Sequence, residues 1–248
     1  MRKQVILSKR LQAVADLLGT VDTAVDVGCD HGFVSIYLIQ RGRARSVIAM
    51  DVNEGPLRYA ARHVAEAGLE SYIQLRSSDG LHGLSAGEAD GMIIAGMGGR
   101  LIRRILQENW EKVCAMRSFV LQPQSEIDEV RAFLKMKGCV TKREDMVCED
   151  GKYYMMMRVI PGGQESGVVT QSIPEDVIPH ATQLQYGAFL IATHHPVLEQ
   201  YLRYRRGMYE GILEQYPAGG DRVRRDELER EIAGMDAIME YWNNGERL

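Results

Sequence analysis

Two acidic residues follow two neighbouring apolar runs near the start of the chain. The first run opens the sequence AVDVGCDHG, which contains Asp26, and the second run, SVIAMD, ends at Asp51. Gly28 and Gly32 permit a tight turn close to a ligand, and an acid at the tip of the next strand accepts hydrogen bonds from ribose hydroxyl groups. The spacing predicts a nucleoside-binding βαβ unit, and an ordinary strand–turn–helix without a ligand is the alternative.

The middle of this loop is unsuited to a dinucleotide. Such a site normally reads GxGxxG and holds a pyrophosphate at the helix N-terminus, whereas this chain has Cys29, Asp30 and His31 there. Asp30 repels a pyrophosphate but suits a cofactor with a positive centre and no phosphate, which describes S-adenosyl-L-methionine. For His31, a structural hydrogen bond is the alternative to a contact with the cofactor. The predicted cofactor-binding residues are Asp26, Gly28, Asp30, His31, Gly32, Asp51, Val52, Asp79, Gly80, Ala95 and Gly96.

Later loops are expected at the same edge of the sheet. Asp79 follows the third apolar run and could accept a hydrogen bond from the adenine amino group; a helix N-cap is the alternative. The sequence AGMGG at 95–99 follows the fourth run, and its glycines indicate a backbone close to the transferred methyl group or the acceptor base, with a tight turn as the alternative. The fifth loop offers the amide of Gln124. The predicted catalytic positions are Gly96, Met97, Gly98 and Gln124.

Alternating strand-like and helical runs must position these loops. The strand-like runs lie at 23–27, 46–51, 72–76, 90–95 and 118–121, and the helical runs between them lie at 33–41, 55–67, 99–107 and 127–137. A further helix is predicted to begin near Ser8, and two strands at 140–147 and 153–160 flank an Asp-Gly turn that favours a hairpin. The pattern predicts an α/β fold, a Rossmann-like class I methyltransferase sheet covered by helices on both faces.

The C-terminal part of the chain is predicted to be a separate helical domain. We expect a Rossmann-like domain at 1–162, a Gly/Ser-rich linker at 163–180 and a helical domain at 181–248. The last contains a helix at about 196–216 and, after a turn, a second helix whose apolar residues recur at coiled-coil spacing. These apolar residues are Leu228, Ile232, Met235, Met239 and Trp242. An antiparallel coiled-coil hairpin is expected.

Charge, cysteine content and hydropathy restrict the partners. The net charge of −4 argues against a generally basic nucleic-acid surface, so RNA contacts would need local clusters. The four cysteines show no metal-ligand spacing, and no apolar run approaches the ~20 residues of a membrane span. We therefore expect a cytoplasmic protein with no metal site and no membrane association, and its oligomeric state stays open.

Two basic clusters are candidates for RNA binding. Arg100, Arg103 and Arg104 follow the glycine-rich loop beside the predicted active site, and Lys9 and Arg10 lie near the N-terminus. A solvated charged face is the alternative. A third set, here called the hairpin arginines, lies at the turn of the predicted hairpin and offers a more distant anchor. The hairpin arginines are Arg222, Arg224 and Arg225.

Short motifs along almost the whole chain resemble the bacterial tRNA methyltransferase family TrmK. They are LSKRL at 7–11, DVGCDH at 26–31, NEGPL at 53–57, Gly80 after Asp79, IAGMGG at 94–99, LQP at 121–123, EDGK at 149–152 and YGAFL at 186–190. The resemblance implies a Rossmann-like domain with a C-terminal coiled-coil hairpin. It also implies S-adenosyl-L-methionine-dependent methylation of N1 of adenosine 22 in the D-arm of tRNA. Members often carry Asn where this chain has Gln124, which keeps the amide on a longer side chain.

Two other functions remain open at this point. A methyltransferase of the same fold could act on another RNA or on a small molecule. Alternatively, the chain could be a non-catalytic adaptor with a vestigial Rossmann domain. Methylation of tRNA and binding of S-adenosyl-L-methionine separate the three.

Overall fold

The computed structural model describes residues 4–162, 173–216 and 222–245. The chain divides into two compact units at residue 170. The predicted linker lies partly outside the described residues, since 163–172 are not among them, and the predicted domain limits stay predictions.

A seven-stranded sheet forms the centre of the first unit. Its strands are β1 (Val21–Val27), β2 (Ala44–Asp51), β3 (Ile73–Ser77), β4 (Gly91–Met97), β5 (Ser118–Pro123), β6 (Val140–Glu149) and β7 (Lys152–Ile160). Their order is β3-β2-β1-β4-β5-β7-β6. The first five strands pair in parallel, and β7 pairs antiparallel with both β5 and β6. The predicted Rossmann-like class I sheet with a terminal hairpin is confirmed.

Helices cover both faces of this sheet. They are α1 (Lys9–Leu18), α2 (Phe33–Gln40), α3 (Glu54–Ala67), α4 (Gly99–Glu108), α5 (Trp110–Cys114) and α6 (Ile127–Met136). Side chains of β1 contribute to both cores: Val21 and Ala24 join one apolar cluster, and Val25 and Val27 join the other. Because both faces are buried, the loops at the carboxyl ends of the parallel strands are the part of the sheet open to a ligand.

The limits of the predicted elements shift by a few residues. The fourth strand extends through Met97 instead of ending at Ala95, because a bulge carries the pairing with β5 past Gly96. Helix α5 was not predicted, since five residues are too few to display a helical period.

The second unit consists of helices in its described part. They are α7 (His180–Tyr186), α8 (Ala188–Ala192), α9 (Pro196–Glu214) and α10 (Arg222–Asn243). The two long helices were predicted and pack against each other, whereas the short α7 and α8 were not predicted. None of the helices described in either unit combines the length and apolar character that crossing a bilayer requires.

The buried face of α10 differs from the predicted seam. Its buried side chains include Leu228 and Met235 as predicted, but also Ile238 and Tyr241, whereas the other three predicted positions are only partly buried. The reason is that α10 also contacts the short helices: the Trp242 indole donates to the carbonyl of Ile191 at 2.7 Å. A helix with several neighbours buries a wider face than a two-stranded seam. A coiled-coil geometry stays a prediction.

Candidate functional site

A cavity of about 340 Å³ opens at the carboxyl ends of β1 and β4. A cavity of this size falls within the range of small-ligand sites. Its lining combines the loop after β1, the loop after β4 and the starts of α1 and α2. The lining residues are Arg10, Leu11, Asp26, Gly28, Cys29, Asp30, His31, Phe33, Val34, Ala95, Gly96, Met97 and Gln124. The topology therefore brings together many of the residues predicted for the cofactor and for catalysis.

The backbone of the first loop approaches the cavity closely. Gly28 and Gly32 have φ angles of +74° and +73°, in the region that favours glycine. A side chain at Gly28 would collide with the methyl group of Met97. The N–H groups of Gly28 and Cys29 donate to the carbonyl of Met50 at 2.8 and 2.9 Å, so the loop is anchored to β2. Burial raises the pKa of the Cys29 thiol, which keeps it protonated.

Asp26 places a buried carboxyl group in the lining of the cavity. Its side chain accepts a hydrogen bond from the Ser35 hydroxyl at 2.7 Å. Desolvation raises the pKa of Asp26 to about 6, and the nearby charge of Asp51 adds to the effect, while hydrogen bonds from Ser35 oppose it. A ligand with a positive charge would favour the ionised form of this group.

Asp51 ends β2 beside the cavity but does not line it. Its two carboxylate oxygens accept the backbone N–H groups of Asn53 at 2.9 Å and of Asp30 at 3.3 Å. Each oxygen keeps a second acceptor position for a ribose hydroxyl. The neighbouring Val52 is exposed and also lies outside the lining.

Asp79 and Gly80 are held against α4 instead of lining the cavity. Arg104 donates to both carboxylate oxygens of Asp79, at 3.0 and 3.2 Å, and these hydrogen bonds lower the pKa of Asp79. A Cβ atom at Gly80 would lie 2.9 Å from Cγ1 of Ile105. No helix begins between β3 and β4, where every residue is described, so the N-cap alternative for Asp79 is wrong.

The three glycines of the fourth loop have three different structural settings. Gly96 is the extra residue of a β-bulge and has a φ of +79°. Gly98, the N-cap of α4, has a φ of −64° and a ψ of 147°, an extended backbone conformation that does not require glycine. It does not line the cavity. A Cβ atom at Gly99 would lie 2.5 Å from the carbonyl oxygen of Ser125. Of these three glycines, Gly96 lines the cavity, so a close approach of the backbone to a ligand stays a prediction for this position.

Gln124 lies beside this bulge in the lining of the cavity. Its backbone N–H donates to the carbonyl of Met97 at 2.9 Å, which ties the fifth loop to the fourth. Its Nε2 atom lies 3.7 Å from the point where a Cβ atom of Gly96 would be. The loops after β4 and β5 therefore form one wall, with a side-chain amide facing the bulge.

Lys9 and Arg10, which were predicted as one basic cluster, have different surroundings at the start of α1. Lys9 is tied to the end of β6: its backbone N–H donates to Oε1 of Glu149 at 2.5 Å, and its Nζ donates to the carbonyl of Cys148 at 3.2 Å. Arg10 instead lines the cavity, and its Nη1 donates to Oε1 of Gln122 at 2.7 Å. The sequence pattern missed this placement of Arg10, because no local signal connects α1 with the end of β5.

The arginines of α4 are paired with carboxylates. Arg100 contacts Glu126 at 3.3 Å, Arg103 contacts Glu129, and Arg104 contacts Asp79. Two of the hairpin arginines, in the second unit, also have acidic partners, Glu227 and Glu229. The surface charge at these predicted RNA contacts is therefore locally compensated.

The ring of His31 lies among aromatic side chains at the cavity, and its predicted contact with a cofactor stays a prediction. His31 lines the cavity, and its ring packs near Phe33 and Tyr59, with ring centroids 5.8 and 5.2 Å away. Its carbonyl oxygen lies 3.0 Å from Nδ1 of His63. Within the described residues, no cluster of three or more His, Cys, Asp or Glu side chains is arranged to hold a metal ion.

Comparisons with known proteins extend over both units. A family model described as "Methyltransferase domain" matches residues 7–157. The tRNA (adenine(22)-N(1))-methyltransferase of Bacillus subtilis is 30% identical over 240 residues, which are 96% of this chain and 98% of that protein.

Solved structures agree in fold. The crystal structure of the B. subtilis tRNA methyltransferase TrmK has a TM-score of 0.76 at 28% identity and covers 95% of this chain and 98% of its own. Streptococcus pneumoniae Sp1610 in complex with S-adenosyl-L-methionine has a TM-score of 0.78 at 30% identity, covering 94% of this chain and 99% of its own.

Proposed function

Because the chain belongs to the family of bacterial tRNA (adenine(22)-N(1))-methyltransferases, we propose that it transfers the methyl group of S-adenosyl-L-methionine to N1 of adenosine 22 in the D-arm of tRNA. The observation that carries this proposal is the cavity at the carboxyl ends of β1 and β4, which joins a glycine-rich acidic loop to a bulged second loop. Such edges of α/β sheets are where ligands bind.

The residues of the cavity fit the proposed cofactor. The lining contains two carboxylates, Asp26 and Asp30, and no residue other than Arg10 that is a lysine or arginine. A sulfonium and an ammonium group are favoured by such acids, whereas a phosphate is repelled. Asp51, at the end of the next strand, has acceptor positions left for ribose hydroxyl groups.

The reaction needs alignment more than proton abstraction. The cofactor supplies an electrophilic methyl group on a sulfonium centre, and adenine N1 is a lone-pair nucleophile that is largely unprotonated near neutral pH. The protein must hold the acceptor in line with the methyl group and tolerate the positive charge that moves onto the adenine. We assign the alignment of the acceptor to Gly96, Met97 and Gln124, which line the cavity. Gly98 supports this loop from its position at the start of α4.

Contacts with tRNA are assigned to basic side chains outside the cavity. Arg100, Arg103 and Arg104 lie on α4, directly after the bulged loop, and Lys9 lies at the start of α1. Phosphate contacts from such residues are salt-sensitive. We also propose a cytoplasmic location, which a tRNA substrate supports.

Mass spectrometry of tRNA tests this function directly. An unmodified tRNA transcript with adenosine at position 22 is incubated with the protein and S-adenosyl-L-methionine, beside a matched transcript with guanosine there. We expect one added methyl group, mapped to N1 of adenosine 22, in the first transcript only. Methylation of both transcripts, or of neither while the protein binds the cofactor, would contradict the proposed substrate. Absence of cofactor binding by calorimetry would favour the adaptor.

A further inference from the structure

Four aromatic rings lie in contact with one another beside the cavity. They belong to His31, Phe33, Tyr59 and His63 and are here called the aromatic patch. The rings of Phe33 and His63 are stacked with centroids 4.5 Å apart, and the centroid of the His31 ring lies 5.2 Å from that of Tyr59. These contacts orient the rings before any ligand binds, which lowers the entropic cost of using them.

The aromatic patch is open to solvent although its rings are largely apolar. Tyr59 is 50% exposed, and Phe33 is also among the exposed large side chains. A second cavity, of about 350 Å³, opens beside Phe33 and His63 and is also lined by Val5 and by the almost fully exposed Ile6. Single exposed apolar side chains are ordinary, whereas contiguous ones mark a surface that contacts a partner.

The charged neighbours of the aromatic patch favour a partner with negative charge. Cζ of Arg62 lies 5.6 Å from the centroid of the Tyr59 ring, and its Nη2 lies 3.4 Å from Nε2 of His63. Arg62 also contacts Glu66 at 3.7 Å, but Arg58, one turn earlier and exposed, makes no ion pair or hydrogen bond with any residue that the structure describes. Unlike the arginines of α4, Arg58 therefore keeps its full charge for a partner.

Rings beside guanidinium groups are suited to unpaired nucleotides. Proteins that bind RNA loops stack the bases on the rings of Phe, Tyr or His or on the plane of Arg, and they bind the backbone through cations. A nucleotide would use both the exposed ring of Tyr59 and the free charge of Arg58. An apolar protein segment would use the rings alone and leave that charge without a partner.

The place of the aromatic patch in the fold suits the proposed substrate. His31 and Phe33 also line the cavity, whereas Tyr59 and His63 lie on α3, outside the cavity lining. Helix α3 follows β2, on one side of β1, and α4 follows β4, on the other side. A tRNA whose acceptor base enters the cavity therefore meets α4 on one side and the aromatic patch on the other.

We propose that the aromatic patch binds an unpaired nucleobase of tRNA near the acceptor, with Tyr59 as the stacking surface and Arg58 as a phosphate contact. The proposal rests on the proposed function, since it presumes a tRNA substrate. It adds α3 to the RNA contacts predicted on α1 and α4. It also gives the protein a means of selecting a tRNA by stacking, which does not depend on the net charge of the chain.

Binding of an unmodified tRNA transcript to variants of Tyr59 and Arg58 tests this assignment. Affinity is measured by fluorescence anisotropy with S-adenosylhomocysteine present. We expect Tyr59→Ala and Tyr59→Leu to raise the Kd for tRNA by about 5- to 100-fold, the range for stacking of one base, whereas Tyr59→Phe keeps the ring and should bind as wild type does. The slope of log affinity against log salt should stay unchanged in Tyr59→Ala and fall by about one in Arg58→Gln, because a phosphate contact is lost.

Tyr72→Ala and Arg41→Gln are matched controls. Tyr72 is 48% exposed and precedes β3, and Arg41 is exposed and follows α2, so both lie at the edge of the sheet opposite the cavity. Their loss should leave tRNA affinity unchanged. Calorimetry with S-adenosylhomocysteine should give the wild-type Kd for every variant, which shows that the fold and the cofactor site are intact.

Four results would overturn the proposal. They are wild-type tRNA affinity in Tyr59→Ala or in Tyr59→Leu, an equal loss of tRNA affinity in Tyr72→Ala, and weaker binding of S-adenosylhomocysteine as the sole effect of Tyr59→Ala. If the Tyr59 variants fail to fold, an unchanged salt slope in Arg58→Gln overturns it by itself. Failure of wild type to bind tRNA while it binds S-adenosylhomocysteine would instead count against the proposed function.

Discussion

Replacing Asp26 by asparagine should stabilise the free protein near neutral pH while weakening cofactor binding. Asp26 is buried, with 4% of its surface exposed. Burial raises its pKa from 3.8 to about 6 against the opposing hydrogen bonds from Ser35. The protein therefore holds at this position a group whose ionised form is disfavoured when the cavity is empty.

The magnitude follows from the difference between the two pKa values. Between about pH 4 and about pH 6, the folded chain keeps on Asp26 a proton that the unfolded chain has released, so the free energy of unfolding falls as the pH rises through this window. At pH values above this window, the difference between the two pKa values lowers the free energy of unfolding by roughly 3 kcal/mol. Asparagine does not titrate and avoids this loss, but it disturbs the Ser35 hydrogen bond, worth about 1 kcal/mol. A net gain of about 1–2 kcal/mol is expected.

Urea unfolding at a series of pH values measures this effect. The stability difference between Asp26→Asn and wild type should grow from about pH 4 to about pH 6 and then level off. Asp22→Asn, which removes an exposed carboxylate of the same strand, should follow the wild-type slope. A wild-type pH profile for Asp26→Asn would refute the assignment of a buried, raised pKa.

The effect of Asp26→Asn on cofactor binding should be opposite in sign to its effect on stability. A cationic ligand favours the ionised carboxylate, so wild-type affinity for S-adenosyl-L-methionine should rise with pH through about 6. Asp26→Asn should bind more weakly and lose this dependence, as measured by calorimetry. Wild-type affinity in a folded Asp26→Asn protein would exclude a role for this group in holding the cofactor.

Three further experiments test the other parts of the site. Asp51→Ala should raise the Kd for S-adenosyl-L-methionine by about 10- to 100-fold in calorimetry, because a charged acceptor for the ribose is lost; an unchanged Kd in a folded variant would contradict that role. Gly96→Ala should lower kcat more than Gly98→Ala in steady-state kinetics, since a left-handed backbone costs about 1–2 kcal/mol for a residue with a side chain, whereas Gly98 is extended; equal losses would contradict the assignment of the bulge. Arg100→Ala combined with Arg103→Ala should raise the tRNA KM and reduce the salt dependence of binding, with cofactor affinity intact; if only loss of the hairpin arginines weakens tRNA binding, the placement of RNA at α4 is wrong.

The parts of the fold that follow from local pattern were predictable. Buried parallel strands form continuous apolar runs, and a recognisable loop follows each of these runs in the first unit. The sequence therefore predicts that these loops lie at the same edge of the sheet. Asp26, Gly28 and Gly96 line one cavity because their loops share this edge. The Asp-Gly turn likewise indicated the hairpin of β6 and β7.

The contacts that depend on distant parts of the chain were not predictable. Arg10 reaches Gln122 across 112 positions, and Arg100 meets Glu126 across 26, and neither separation leaves a periodic signal. The φ angle of Gly96 depends on a bulge between paired strands, which a run of glycines does not locate. The short α7 and α8 could not be predicted, because each is shorter than two full helical turns and shows no clear helical period.

The charges of the first unit suggest how tRNA and cofactor are distinguished. Each arginine of α4 is paired with a carboxylate, and ion pairs near the surface contribute little to stability, so exchanging the carboxylate for a phosphate costs little. A locally neutral surface on a chain of net charge −4 nevertheless exerts little long-range attraction on RNA. We therefore expect selection of the tRNA to depend on the fit of the contact surface. The acids that line the cavity, Asp26 and Asp30, are expected to repel phosphates from the proposed cofactor site.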